Sequence, residues 1–62
     1  MKLDQFLKWH GLVSTGGEAK HFIASGEVTL NGQVETRRGK QLSDGDYVCF
    51  KNHELRYLVS DT

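Results

Sequence analysis

The chain has 62 residues, with eight Lys or Arg, eight Asp or Glu, and a single cysteine. This length predicts one domain over residues 1–62, with one small core and little room for a deep substrate pocket. A single cysteine excludes an intrachain disulfide and a zinc site built from cysteines. The formal net charge of zero argues weakly against nucleic-acid binding, because domains of that class are usually basic.

The charges are unevenly distributed along the chain. Residues 1–42 carry six basic and four acidic side chains, whereas residues 43–62 carry two basic and four acidic ones. A basic face opposite an acidic one is therefore compatible with zero net charge. At the start of the chain, Lys2 and Asp4 introduce charges before any apolar run forms. We therefore expect no secretory signal, no membrane partner and a cytoplasmic location.

The first predicted helix runs from Leu3 to His10. One face carries the residues at positions i, i+3, i+4 and i+7, which are Leu3, Phe6, Leu7 and His10. Asp4 lies in the first turn, where a negative charge suits the helix dipole. Gly11 is placed to end the helix in a left-handed conformation. Trp9 lies off the centre of the apolar face.

The second predicted helix runs from about Gly16 to Ser25, with Gly26 as its C-terminal stop. Thr15 is the expected N-cap, and the Glu18 side chain is expected to reach back to the Thr15 N–H and complete a capping box. The apolar stripe of this helix consists of Ala19, Phe22 and Ile23. The two short helices form an αα-hairpin that must pack on the rest of the chain, because neither is long enough to be stable alone.

Two glycines follow the predicted N-cap of the second helix. Because Gly16 and Gly17 have no side chains, they leave the N–H groups of the first helical turn uncovered, and such donors can receive a phosphate. The alternative is that both glycines only form a tight turn between the helices, since glycine is common in turns for steric reasons. The residues of this stretch leave both interpretations open.

The segment Val28–Val34 gives the strongest hairpin signal in the chain, because Asn31-Gly32 interrupts an apolar pattern. A two-residue turn would pair Leu30 with Gln33 and set apolar against polar side chains. A three-residue loop would instead put Val28 and Val34 on one face. The alternation therefore favours the odd-length loop, with Gly32 in a left-handed bulge position.

The second half of the chain alternates polar turns with apolar strands. We predict a polar and mostly basic loop over residues 35–41, a turn around Asp-Gly over 42–46 and a strand over 47–50. A turn over 51–54, a last strand over 55–59 and a short polar end over 60–62 follow. The order of helices and strands predicts an α+β fold, in which a two-helix αα-hairpin packs on a small curled antiparallel β-sheet.

The densest basic cluster is Arg37-Arg38-Gly39-Lys40. Arginine suits bidentate contacts to phosphate, although a cluster of this kind is as often a solvated loop. Lys8 and Lys20 lie off the apolar stripes of their helices and would extend this basic surface, or they would serve only solubility.

Other candidate residues favour structural roles. Trp9 can stack a base if it is exposed, but we expect it to cover the rim of the core, since small domains need every large apolar group. Cys49 is expected to be a small buried hydrophobic residue. The three histidines lack the spacing and acidic neighbours of a metal site. No catalytic constellation is apparent, so the sequence predicts no enzyme, no cofactor, no metal and no small-molecule substrate.

The order of these motifs resembles the RNA-binding domain first defined in ribosomal small-subunit protein four. The matching residues are Leu3-Asp4-Gln5-Phe6-Leu7, Gly11-Leu12, Ser14, Ala19, Ile23, Gly26, Val28-Thr29-Leu30-Asn31-Gly32, Leu42 and Gly45-Asp46. The resemblance covers nearly the whole chain and is closest to the small stand-alone bacterial members, the YaaA/YbcJ-like proteins. It implies binding of structured RNA through the helix pair and the loop beside the hairpin.

One departure from the family pattern lies at the start of the second helix. The family usually has Ser followed by Arg there, whereas this chain has Ser14-Thr15-Gly16-Gly17, without an arginine and with one extra residue. The resemblance therefore implies that a main phosphate-binding side chain is missing. Backbone donors at the two glycines are a hypothetical substitute. Lys2 fits the basic residue that usually precedes the Leu-Asp pair.

Together these observations predict a monomeric, non-catalytic RNA-binding module acting in ribosome assembly or translation. Its expected partner is ribosomal RNA, with transfer RNA as the other possibility. The predicted RNA-binding residues are Lys2, Lys8, Thr15, Gly16, Gly17, Lys20, Arg37, Arg38 and Lys40. The alternative prediction is a protein-interaction module that kept the fold but lost RNA affinity, which the zero net charge and the missing arginine favour.

Overall fold

The computed structural model describes residues 1–59; the predicted polar end, residues 60–62, lies outside this part. In chain order the elements are α1 (Leu3–Trp9), α2 (Gly16–Ala24), β1 (Val28–Leu30), β2 (Gln33–Val34), β3 (Tyr47–Phe50) and β4 (His53–Arg56). Neither helix of the described part has the length and hydropathy needed to cross a membrane.

The four strands form one sheet in the order β2-β1-β3-β4, and every neighbouring pair is antiparallel. Alternate residues of β1 and β3 point towards the helix pair and form one core with it. The buried core residues are Leu3, Phe6, Leu7, Val13, Ala19, Ile23, Val28, Leu30, Leu42, Val48 and Phe50. The predicted α+β architecture, two helices on a small antiparallel sheet, is confirmed.

Helix α1 ends one residue earlier than predicted, with His10 as its C-cap. Gly11 follows in the left-handed conformation at φ +72°, as expected for a glycine after a helix. Three of the four residues of the predicted face are buried. His10 is exposed, and its ring packs edge-on against Phe6 at a centroid distance of 4.5 Å.

Helix α2 begins and ends close to the predicted positions. The Thr15 hydroxyl accepts a hydrogen bond from the Glu18 N–H at 3.1 Å, which confirms the N-cap. The Glu18 carboxylate accepts from the Ser14 N–H at 2.6 Å, so the expected return bond to Thr15 is wrong by one residue. Gly26 has φ +83°, which confirms the predicted stop after α2.

The predicted register of the first hairpin is wrong. Leu30 pairs with Gln33 across a two-residue loop, and Thr29 pairs with Val34. Asn31 and Gly32 both have positive φ, at 53° and 83°, as a type I′ turn requires. This turn matches the twist of paired strands, and the core does not need Val34, whose exposed fraction is 60%.

Strand β3 has the predicted bounds, and its Val48 and Phe50 are buried on one face as expected. Strand β4 begins two residues before the predicted Leu55 and ends at Arg56. A two-residue turn with positive φ at both positions connects β3 to β4 at residues 51–52. The prediction assigned the polar residues His53 and Glu54 to a turn, whereas they begin β4. An exposed edge strand can carry polar side chains on either face, so polarity did not distinguish the strand from a turn.

Candidate functional site

The basic loop, residues 35–41, lies against the start of α1. The Leu3 N–H donates to the Lys40 carbonyl at 2.9 Å, and the Asp4 N–H donates to the Arg38 carbonyl at 3.1 Å. Lys2 forms an isolated antiparallel bridge with Gln41. The backbone thus brings three of the predicted RNA-binding residues, Lys2, Arg38 and Lys40, to one place.

At this place the backbone donors of α1 are already used. Loop carbonyls occupy the first two N–H groups of the helix, and the Gln5 N–H donates to the Asp4 carboxylate at 2.8 Å. A phosphate at this edge of the molecule would therefore meet cationic side chains and not helix N–H groups. The carbonyl groups of the basic loop thus cap the N-terminus of α1, while the side chains of the same loop carry the positive charge.

Arg37 differs from its neighbours because it forms an ion pair. Its guanidinium donates to both carboxylate oxygens of Glu35, at 2.9 Å and 3.3 Å. The side-chain hydrogen bond from Arg37 lowers the pKa of Glu35, and the same bond raises the pKa of Arg37. Within the described residues, Arg38 and Lys40 form no ion pair. The exposed Arg38 is therefore more available to a ligand than Arg37, whereas the half-buried Lys40 lies close enough to Glu35 and Asp46 to help lower the pKa of both carboxylates.

The start of α2 forms a second region. Both glycines have helical backbone conformations without positive φ, and outside the adjacent residues and the backbone of α2 itself no atom lies within 4 Å of the position that a Gly16 side chain would occupy. Among the described residues, neither the Gly16 nor the Gly17 N–H has a hydrogen-bond acceptor. Gly17 and Lys20 line a shallow depression on α2. No hydrogen bond of the described part connects this region to the basic loop.

Lys8 lies on the exposed side of α1 and lines a depression together with Met1, Gln5 and Trp9. The expectation that Trp9 covers the rim of the core is wrong, because its exposed fraction is 76%. The core is closed by other groups, including the half-buried Tyr57, whose ring packs edge-on against Phe6 at 5.9 Å. The position of Trp9 off the apolar face of the helix was the signal in the sequence that pointed to exposure.

A polar network that the sequence analysis did not identify lies beside the basic loop. The Asp46 carboxylate accepts hydrogen bonds from the Ser43 N–H at 2.8 Å and from the Asn31 side-chain amide at 3.1 Å. These two bonds, in that order of importance, lower the pKa of Asp46. Asn31 also accepts from the Tyr47 N–H at 2.9 Å, so the network fixes the first hairpin to β3. It forms part of a polar cleft of about 320 Å³.

The other residues that could bind a metal or react chemically do not form a cluster among residues 1–59. Residues 1–59 contain no group of three or more His, Cys, Asp or Glu side chains arranged to hold a metal ion. Cys49 is half-buried on the sheet face that points away from the helices, and not fully buried as expected. Burial and the neighbouring Glu54 raise the pKa of Tyr47 on the same face.

The sequence profile described as the S4 domain matches residues 1–57. The probable ribosome maturation protein RlbA of Bacillus subtilis is 44% identical over 46 residues, a match that covers 74% of this chain and 65% of that protein. A candidate RNA-binding protein of Escherichia coli, YbcJ, is 36% identical over 59 residues, covering 95% of this chain and 84% of that protein.

A solved structure has the same fold. The chain superposes on a crystal structure of a pseudouridylate synthase with a TM-score of 0.80 and 24% sequence identity. The superposition covers 94% of this chain but only 25% of the synthase chain. This likeness therefore concerns the fold of one part of a larger enzyme, and it carries no information about catalysis in this chain.

Proposed function

The chain belongs to the S4 domain family, and from this premise we propose that it is a non-catalytic module that binds structured RNA. The name of the Escherichia coli relative, a candidate RNA-binding protein, supports this function. The observation that carries the proposal is the meeting of Lys2, Arg38 and Lys40 at the start of α1. The zero net charge argues only weakly against this function, because a local group of cations is sufficient to contact phosphates.

We name the cationic surface by its residues: Lys2, Lys8, Arg38 and Lys40. It would contact the phosphates of a folded RNA and recognise their spacing, since the deep groove of paired RNA does not admit side chains. Arg37 would contribute a contact at the margin of this surface only when phosphate competes with Glu35 for its guanidinium. Lys20 and the start of α2 at Thr15-Gly16-Gly17 would form a second, separate contact region for the RNA.

Ribosomal RNA is the proposed target, with a role in ribosome assembly or translation. The support is the name of the Bacillus subtilis relative, a probable ribosome maturation protein. Transfer RNA is the second candidate. We propose that one copy of this domain binds one RNA site.

The test measures binding to deproteinised ribosomal RNA by filter retention. We expect Arg38→Ala/Lys40→Ala to weaken binding by at least about tenfold, because charge-assisted hydrogen bonds contribute roughly 1.5–3 kcal/mol each. Arg37→Ala is the matched control for the single variant Arg38→Ala, since each removes one arginine, and it should have the smaller effect because Glu35 already holds the Arg37 guanidinium. Unchanged binding by a folded double variant would show that the cationic surface is wrongly assigned.

The second candidate function is a protein-interaction module that kept the fold. It is favoured by the zero net charge and by the ion pair that engages Arg37. Affinity capture from a bacterial lysate, with and without ribonuclease, separates the two functions. Partners that are lost after ribonuclease treatment support RNA binding, whereas partners that remain support the protein-interaction module.

A further inference from the structure

Trp9 is the most exposed aromatic residue among residues 1–59. Its exposed fraction is 76%, whereas Phe6 and Phe50 are each 2% exposed and the other aromatic residues are half-buried. Burying a large apolar side chain stabilises a small domain, so an indole left in solvent gives up stability that this fold would otherwise gain. The folding of this chain therefore gives no reason for the position of Trp9.

The indole contributes to the lining of two depressions in the surface. One, of about 560 Å³, is lined by Met1, Gln5, Lys8 and Trp9. The other, of about 380 Å³, includes Trp9, Arg56 and Leu58 in its lining. A flat group that enters either depression would therefore meet the indole.

The charged side chains that line these two depressions are all basic. Lys8 lies in one depression and Arg56 in the other, and none of the described residues that line them is acidic. Gln5 accepts from the Lys2 N–H with its side-chain oxygen at 3.2 Å, so its amide group remains available as a donor. A ligand that fits here has a flat aromatic part and negative charge close to it.

We propose that Trp9 is a stacking site for an unpaired nucleobase of the bound RNA, with Lys8 and Arg56 on the phosphates flanking that base. The inference rests on the proposed RNA-binding function and adds the kind of RNA element that is recognised. A base within a duplex is covered by its neighbours and offers no free face, so the site requires a nucleotide in a loop, a bulge or an end. Aromatic side chains within a cationic groove are the usual arrangement for binding single-stranded segments.

The site continues from the cationic surface along α1. Lys2 hydrogen-bonds to Gln5, and Gln5 lines the depression that contains Lys8 and Trp9. A paired stem on the cationic surface would therefore place its adjoining unpaired nucleotides beside Trp9. A protein partner is less suited to this site. A typical protein surface carries both acidic and basic side chains, and the two basic residues here, Lys8 and Arg56, could pair only with its acidic ones.

The experiment uses Trp9 as its own probe, because the chain contains one tryptophan. The protein is titrated with an RNA hairpin that carries a loop of five adenosines, and with a fully paired duplex of the same stem sequence. Stacking of a base on the indole should quench its fluorescence with the hairpin and not with the duplex. Quenching of equal size with both RNAs would overturn the stacking site.

Variants then test whether the contact contributes to affinity. Trp9→Ala should weaken hairpin binding roughly 5- to 150-fold and leave duplex binding unchanged, because base stacking is lost only in the hairpin complex. Trp9→Phe, which retains an aromatic face, should restore most of the affinity. The exposure of Trp9 makes both variants compatible with folding, which far-ultraviolet circular dichroism verifies.

The failures of the two proposals are distinguishable. If the protein binds neither the hairpin nor the duplex, nor deproteinised ribosomal RNA, the RNA-binding function itself is wrong. If it binds both RNAs and Trp9→Ala changes neither affinity, only the stacking site is wrong. A blue shift of Trp9 emission with rising protein concentration, without RNA, would assign the indole to a contact between copies and would also overturn it.

Discussion

Asp46 connects three segments of the chain through its carboxylate and its backbone carbonyl. It accepts from the Ser43 N–H and from the Asn31 amide, and its own carbonyl accepts from the Tyr57 N–H at 2.8 Å. Because hydrogen bonds to the charged form lower its pKa, the folded state binds the proton of Asp46 less readily than the unfolded chain does. Its contribution to stability is therefore complete above the unfolded pKa of about 3.9 and is lost as the pH falls below it.

We predict that Asp46→Asn destabilises the protein at pH 7 and that the difference from the unmodified chain shrinks below about pH 4. The amide group of asparagine cannot accept both hydrogen bonds that the carboxylate oxygens accept. At low pH the protonated Asp46 loses the same advantage. Urea denaturation at several pH values measures both free energies of unfolding. A difference that stays constant down to pH 3 would contradict this explanation.

Single residues also mark the limit of sequence reasoning in this chain. The acidic residue in the Asp-Gly turn was visible, but its partner Asn31 is 15 positions away and is brought to it only by the pairing of β1 with β3. In the same way, Arg37 and Arg38 look equivalent in the sequence. Only the folded loop shows that Glu35 engages one and leaves the other without an ion pair among residues 1–59.

At the level of elements, β2 shows how a turn can override an apolar pattern. The sequence favoured a loop that would place Val34 on the core face, whereas the Asn31-Gly32 turn places it opposite Thr29 on the outer face. A one-residue change of register exchanges the faces of all side chains in a strand. The conformational preference of Asn31-Gly32 for a two-residue turn determined the register of β1 and β2. Strand β2 has only two residues, so burying its side chains would stabilise the alternative register too little to change it.

The same substitution at two positions tests this register. We predict that Val48→Ala costs about 2 kcal/mol of unfolding free energy, because it removes two buried methyl groups and leaves a cavity. Val34→Ala should cost less than about 0.5 kcal/mol, because the side chain is mostly exposed. Chemical denaturation compares the two variants directly. Equal costs would indicate that Val34 is buried and that the three-residue loop was the correct prediction.

The start of α2 gives the second prediction at this level. Gly16→Ala and Gly17→Ala should each stabilise the protein by up to about 1 kcal/mol, because alanine favours a helix and neither glycine has positive φ. A side chain at Gly17 would meet the Thr15 hydroxyl oxygen at 3.8 Å, which is an ordinary contact. Thermal denaturation measures the effect, and Gly26→Ala is the control that should destabilise, since Gly26 has φ +83°.

Binding to ribosomal RNA by the same variants decides between the two interpretations of these glycines. If their uncovered N–H groups receive a phosphate, the added methyl groups should weaken binding while they raise stability. If the variants gain stability and keep full RNA affinity, the glycines serve only the turn between α1 and α2.

For the whole molecule, the sequence predicted the fold well because each level of structure agreed. Helical periodicity, Gly11 and Gly26 as helix ends, and the alternating pattern of β3 all favoured the same architecture. The site was less predictable. The sequence identified the cations but not their grouping, because the contact between the basic loop and the start of α1 is made by backbone atoms that leave no pattern in the side chains.

The last prediction concerns the charge of the molecule as a whole. Because the formal net charge is zero, long-range electrostatic attraction contributes little to the affinity for RNA. The salt dependence of that affinity should therefore report the local contacts between protein and phosphates. Lys40→Gln and Lys51→Gln each remove one positive charge and change the net charge equally. Lys40 lies on the cationic surface, whereas Lys51 lies in the β3–β4 turn with its Nζ 4.2 Å from the centre of the Phe22 ring.

We expect Lys40→Gln to reduce the slope of log affinity against log salt by roughly one, because one phosphate contact and its released counterion are lost. Lys51→Gln should leave the slope unchanged, although it lowers the net charge by the same amount. Both slopes are obtained by measuring binding to deproteinised ribosomal RNA at salt concentrations from about 50 to about 200 mM. Equal reductions in the two variants would mean that total charge, and not the surface at α1, controls the association.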